Sequence, residues 1–238
     1  MQPQRLDQTN TGPSEVVSRY LEAVYYMRAE GQVVRSARLA EWLGVSRPTV
    51  TLALRRMLRD GLVRMTPQKE IELTAEGDRE AAQVVRRHRV VERWLTDVLG
   101  LDWIAADEEA ARLEHAVSAV VEERLWEALG RPVSCPHGNP IPGHAEMRVD
   151  ERRLADLAAG DTVRLHRVSE VAEREAPALL RHLLDRGLVP GAALRILEVD
   201  HAGRTLRLTV QRSSQDREVT ISIETATKVW AVPSAPAR

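Results

Sequence analysis

Hydrophobic positions recur along this chain with two different periods, and the change from one to the other divides it. From Ser14 the run VVSRYLEAVYYM places Val17, Tyr20, Leu21, Val24 and Tyr25 at helical spacing, which predicts an amphipathic helix. Residues 1–13 show no such period and read as a disordered tail. In RSARLAEWLGVSRPTVTLALRRMLRDGLV, Ala40, Gly44 and Val50 fall at the three offsets of a helix-turn-helix: a small residue where the helices cross, a glycine in the turn and an apolar anchor on the second helix. Ser46 is placed to cap that second helix, and Pro48 suits its first turn, where a missing N–H costs nothing. LVRMTPQKEIELT then reads as two short strands joined by TPQK, a β-wing.

Thr74 caps a long helix, AEGDREAAQVVRRHRVVERWLTDVLG, with a buried stripe at Val84, Val85, Val91 and Leu95. His88 and Glu92 stand one turn apart on its face. The next helix holds DEEAARLEHAVS and is expected to continue through AVVEERLWEALG. RPVSCPHGNPIPG, with four prolines and two glycines in thirteen residues, is expected to be a stiff linker. Beyond it the period shortens to two. VRLHRV, ALRILEV, TLRLTVQ and EVTISI predict short strands, with a helix PALLRHLLDRGL between the first two. The expected fold is mainly α with small β parts: a winged helix-turn-helix over 14–73, a helical domain over 74–133, a linker over 134–150, and a small, partly open β-barrel over 151–238.

Aromatics make up only 3% of the 238 residues and Phe is absent, so the cores must be built from Leu, Val and Ala. Nothing approaches the roughly 18 apolar residues of a membrane span, and one cysteine, Cys135, permits no internal disulfide; both point to the cytoplasm. Charge changes the picture more. Residues 35–64 carry seven arginines against two acids, a net of +5, whereas residues 74–150 carry nine basic and fifteen acidic residues, a net of −6. The first surface attracts a phosphate backbone and the second attracts cations. Helix, helix-turn-helix and wing on a basic surface point to double-stranded DNA, with Ser36, Arg38, Ser46, Arg47, Pro48, Thr49, Thr51, Arg55 and Arg56 as the candidate contacts. No HExxH, nucleophile elbow or phosphate loop is present, which argues against an enzyme.

SRPTVTLALRRMLRDGLV, HRVVERWLTDVLGLD, LEHAVS and HGNPIPG, in this order and spacing, resemble the diphtheria-toxin-repressor family of iron- and manganese-dependent transcription regulators. The resemblance covers the chain from about Ser14. It implies a winged helix, a helical dimerisation domain that holds the regulatory metal, and a third domain of SH3-like, FeoA-like type. Two metal sites follow from it: an ancillary one at His88, Glu92 and Asp107 with a further ligand near Glu175, and a primary one at Glu114, His115 and Glu22. The chain departs from the family pattern at Ala111, where Cys or Glu is usual, at Arg19, where Met or Asp is usual, and at Asp107, where a histidine is commoner in the iron-dependent branch.

Imidazole with carboxylates suits a hard or borderline divalent cation, so Mn²⁺ or Fe²⁺ is the expected effector. With no Cys or Met among the implied ligands, copper and thiolate zinc are not expected, and Cys135 reads as a structural element of the linker turn. The function implied is a homodimeric, metal-dependent regulator of metal-homeostasis genes that binds palindromic operators. The alternative, resting on Arg19 and Ala111, is a winged-helix regulator that has lost metal control.

Overall fold

The computed structural model describes residues 14–171, 177–211 and 215–234. The N-terminal tail read as disordered and Glu175, the ligand implied for the third domain, both lie outside them. The chain forms two compact units that divide between Val84 and Val85.

The first unit contains helices α1 (Glu15–Ala29), α2 (Ser36–Leu43) and α3 (Arg47–Arg59), strands β1 (Val63–Met65) and β2 (Ile71–Leu73), and the start of α4 (Ala75–Asp97). Its core joins Val17, Leu21, Val24 and Met27 of α1 to Val50, Leu54 and Met57, which recur at helical spacing along α3. The α2–α3 turn follows from Gly44, whose φ of +64° ends α2 in the left-handed conformation that L side chains resist. The N–H of Val45 closes back onto Ala40 O at 3.0 Å. Ser46 then caps α3 by accepting from the N–H of Thr49, and Pro48 occupies the first turn. Strands β1 and β2 pair antiparallel, Val63 opposite Leu73 and Met65 opposite Ile71, which makes the wing. The Thr74 hydroxyl accepts from Gly77 N–H at 3.1 Å, as expected for a cap. The unit extends past Thr74 because Ala81, two turns into α4, belongs to its core.

The second unit holds the remainder of α4, then α5 (Trp103–Leu113), α6 (Ala119–Ala128), β3 (Arg152–Arg153), β4 (Thr162–Val168), α7 (Pro177–Arg186), β5 (Ala193–Asp200), β6 (Thr205–Val210), β7 (Arg217–Ser222), α8 (Ile223–Ala226) and β8 (Val229–Pro233). The helical stretch expected to run unbroken from DEEAARL into AVVEERL is instead two helices. Its break falls at residues 114–118, where Ser118 caps α6 by accepting from Val121 N–H. Val91 and Leu95 of α4 pack on Ala106 and Ala110 of α5, small residues that let the helices approach closely.

The six strands form one antiparallel sheet in the order β3-β8-β4-β5-β6-β7. Alternation drives it: Leu206, Leu208 and Val210 of β6 turn inward while Arg207 faces out. The sheet does not close, because β3 and β7 each pair on one side only, so the expected barrel is an open sheet and the whole fold is mixed α/β rather than mainly α. Strands β3 and β8 were not among the expected ones, although VWAVP of β8 is an apolar run of strand type.

The segment expected to be a stiff linker is irregular, but it is packed into this unit. Cys135, His137, Asn139 and Ile141 are buried. Cys135 N–H donates to Asn139 O at 2.9 Å, Gly138 N–H to Cys135 O at 3.0 Å, and Val168 N–H of β4 to His137 O at 2.9 Å. Gly138, with φ +90°, lies so close to β4 that a Cβ there would stand 2.1 Å from His166 O. Proline and glycine rule out regular structure, but they do not keep a segment in solvent.

Candidate metal centre and nucleic-acid interface

On the second unit, His88 of α4 stands between two carboxylates. Its Nδ1 is 2.8 Å from Glu114 Oε2 and its Nε2 is 3.3 Å from Asp107 Oδ1. The other Glu114 oxygen, Oε1, lies 3.3 Å from His115 Nε2. Asp107 projects from α5, and Glu114 occupies the position just after that helix, where the chain turns towards α6. The turn at residues 114–118 therefore presents Glu114 and His115 together. His88 and Glu114 are buried, Asp107 and His115 half-buried.

Burial by itself depresses the His88 pKa, but hydrogen bonds to Asp107 and Glu114, reinforced by their negative charges, hold it well above the ordinary histidine value. The charged form of His88 is thus favoured where two carboxylates and two imidazoles converge. That donor set, all nitrogen and oxygen, fits a hard or borderline divalent cation. Next to it, Arg87 donates to the backbone oxygen of Glu114 at 3.3 Å, and Arg86 and Arg87 hold the buried Glu122 at 2.7 and 3.4 Å.

The structure divides the expected ligands differently from the pairing implied by family resemblance. Glu92 leaves His88 for a separate cluster: its Oε1 is 2.7 Å from His137 Nδ1, and Cys135 completes a buried trio. Positions four apart on a helix have Cβ atoms about 6 Å apart, so each side chain follows the element nearest it. His88 meets α5 and its terminal turn, whereas Glu92 meets the loop at 135–137. Sequence reasoning treated Cys135 and His137 as parts of a linker; the signal available was CPH, a thiol and an imidazole two residues apart. It also missed Glu170, whose buried carboxylate accepts from Arg89 Nη2 at 2.5 Å. Glu22 lies on α1 in the first unit, buried, and accepts from the Tyr26 hydroxyl at 2.8 Å. Arg19 is exposed on the same helix.

On the first unit, Ser46, Arg47, Pro48, Thr49, Thr51, Arg55 and Arg56 of the α3 segment are all exposed. Arg56 pairs with Asp60 at 3.5 Å, while Arg47 and Arg55 engage no carboxylate among the described residues. Ser36 begins α2 half-buried, and Arg38 is held by Glu41 at 3.3 Å and by the Trp42 ring face at 5.8 Å. Leu52, 67% exposed, is an apolar position on the same face of α3.

Residues 14–71 match the N-terminal DNA-binding domain of iron-dependent repressors, residues 74–143 their metal-binding and dimerisation domain, and residues 152–233 the FeoA domain. The iron-dependent repressor IdeR of Mycobacterium tuberculosis is 37% identical over 203 residues, 81% of this chain and 88% of that protein. The chain belongs to the iron-dependent repressor family. The diphtheria toxin repressor of Corynebacterium diphtheriae is 34% identical over 86% of this chain and 92% of its own length. Among solved structures, a manganese-dependent transcriptional repressor in complex with manganese superposes with a TM-score of 0.83 at 30% identity, over 92% of this chain and all of that one. ScaR with bound Cd²⁺ gives 0.76 at 26% identity, over 93% of this chain and 100% of that one. Such relatives are metal-dependent repressors, which supports the metal-dependent reading of this chain over the one in which metal control has been lost. No helix among the described residues is long and apolar enough to cross a membrane.

Proposed function

We propose that this protein is a homodimeric transcriptional repressor of the cytoplasm, without catalytic activity, that binds palindromic operators when Mn²⁺ or Fe²⁺ occupies the centre at His88, Asp107, Glu114 and His115. The observation that carries the reading is His88, buried and flanked at 2.8 and 3.3 Å by two carboxylates. A bound divalent cation supplies the positive charge that these carboxylates otherwise draw from the imidazolium of His88. His88 then offers a neutral nitrogen, Asp107 and Glu114 offer oxygens, and the Arg87 contact to the backbone of Glu114 steadies the turn that presents it. Helix α4 carries Ala81 in the core of the DNA-binding unit and His88 in the metal centre, two turns on.

Double-stranded DNA is met by α3. Ser46, Pro48 and Thr49 at its N-terminus lie near base edges in the major groove and Arg47, Arg55 and Arg56 lie chiefly on phosphates, with Ser36, Arg38 and Thr51 supporting the backbone contacts. Two recognition helices about one DNA turn apart require a two-fold dimer. The exposed Val98, Leu99, Val120 and Val121 of the helical region suit its interface.

Operator affinity measured anaerobically with and without Mn²⁺ and Fe²⁺ tests the proposal. Affinity should rise with either ion and fall back on chelation. His88→Ala should abolish the metal response, whereas His115→Ala, whose side chain is 23% exposed at the edge of the centre, should weaken it. Equal affinity in chelator and in metal would overturn the reading.

A further inference from the structure

Helix α3 turns its buried stripe, Val50, Leu54 and Met57, to the core of the DNA-binding unit. At 3.6 residues per turn the opposite side of the helix carries Pro48, Leu52, Arg55, Arg56 and Arg59. Leu52 stands in the middle of that side and is 67% exposed, more than any other leucine among the described residues. Pro48 precedes it by one turn, and Arg55 and Arg56 flank it on either side one turn later. An apolar side chain set among guanidinium groups suits a polyanion and not an apolar protein surface, which would have to desolvate those charges.

The hydroxyl groups nearest to it are already engaged. Ser46 Oγ lies 2.8 Å from Thr49 Oγ1 and accepts from the Thr49 N–H at 3.3 Å. The Thr51 hydroxyl donates to Arg47 O at 3.0 Å. Hydrogen bonds within the α3 segment thus occupy side chains that could otherwise read donors and acceptors on base edges, and Leu52 offers neither. What Leu52 can bury is a methyl group. In the major groove thymine alone carries one, at C5, whereas cytosine presents its N4 amino donor at the same level. A leucine set over cytosine, adenine or guanine would shield a polar edge from water without pairing it, which costs affinity.

We infer that Leu52 is a specificity-determining residue that packs on the 5-methyl group of one thymine in each operator half-site. The inference rests on the placement of α3 in the major groove proposed above. It assigns sequence preference to apolar contact at the centre of the helix and leaves the arginines on its flanks to phosphates.

Replacement of thymine by uracil tests it, because uracil keeps the pairing and removes only the methyl group. Full-length protein loaded with Mn²⁺ selects its sites from a random pool of DNA duplexes, and each thymine of the selected site is then replaced in turn by uracil. One thymine per half-site should cost about fourfold in affinity when replaced, and the two together about fifteenfold, the worth of one and two buried methyl groups. Leu52→Ala should bind the thymine duplex more weakly by at least as much, and should be insensitive to uracil at those two positions. Such coupling between one side chain and one methyl group does not arise from a substitution that merely disturbs the helix. A selected duplex in which no uracil is felt, or in which its penalty is the same in Leu52→Ala, would overturn the role of Leu52 while leaving DNA binding by α3 intact. A Leu52→Ala protein that keeps full affinity but sediments differently would assign Leu52 to a contact between chains and overturn it as well. A pool from which no duplex is enriched would remove the DNA-binding reading itself, and this inference with it.

Discussion

At the scale of single residues, the proposed metal centre makes proton and cation alternative occupants of the same place. His88 has its pKa raised in the fold: burial opposes the charged ring, but Asp107 and Glu114 outweigh it. A histidine raised in this way stabilises the metal-free protein fully below its unfolded pKa, about 6.5, and that contribution is lost as pH rises through the higher folded value. Metal binding runs the other way, since His88 must shed its proton to coordinate. Affinity should therefore climb with pH up to the raised pKa of His88 and then level off with respect to this group. Titration calorimetry at neutral pH, in buffers of different ionisation enthalpy, should count about one proton released per ion bound at this centre, and the release should vanish in His88→Gln. Metal uptake without proton release would place the ion away from His88. The residue types of the centre were legible in the sequence as carboxylates and imidazoles at chelating intervals. Which of them meet was not, because a helix face specifies direction but not the element packed against it: His88 reaches α5 and its terminal turn, and Glu92 reaches Cys135 and His137.

At the scale of elements, the helix-turn-helix was readable in full because its signals are local. Gly44 in the left-handed turn, Ser46 at the cap and Pro48 in the first turn each act within a few residues. The break between α5 and α6 was less visible, since EHAVS carries no proline or glycine; Ser118 three residues before Val121 was the available mark of a new helix. For α3 the expected behaviour on DNA follows from exposure. Arg47 and Arg55 stand clear of carboxylates among the described residues, so both are available to phosphates. Arg47→Ala or Arg55→Ala should weaken operator and random DNA alike, and each should reduce the slope of log affinity against log salt by about one. A loss confined to operator DNA would instead assign the arginine to a base edge. Arg38, already held by Glu41 and Trp42, should have the smaller effect.

At the scale of the whole molecule, the described surface of the helical region shows Val120 at 71%, Val98 at 60% and Leu99 at 51% exposure in the single chain. Burying one such side chain contributes about 1.5–3 kcal/mol, and two-fold symmetry counts each twice. Val120→Glu should consequently raise the dimer dissociation constant by roughly two orders of magnitude or more, read by sedimentation, and weaken operator binding with it. A wild-type protein that sediments as a monomer at micromolar concentration, with and without metal, would remove the basis for this. The sequence by itself determined the winged helix, the long helix α4, the alternating strands β4 to β7 and the charge contrast between a basic reading surface and an acidic metal-binding one, because periodicity, capping and charge are properties of neighbouring residues. Tertiary structure alone decided that the sheet stays open with β8 between β3 and β4, and that the proline-rich segment packs against β4. It alone decided, too, that Glu92 joins Cys135 and His137. These outcomes depend on contacts between residues tens of positions apart, where hydrogen-bond partners for a buried backbone and the space left by neighbouring elements select among arrangements that local sequence leaves equal.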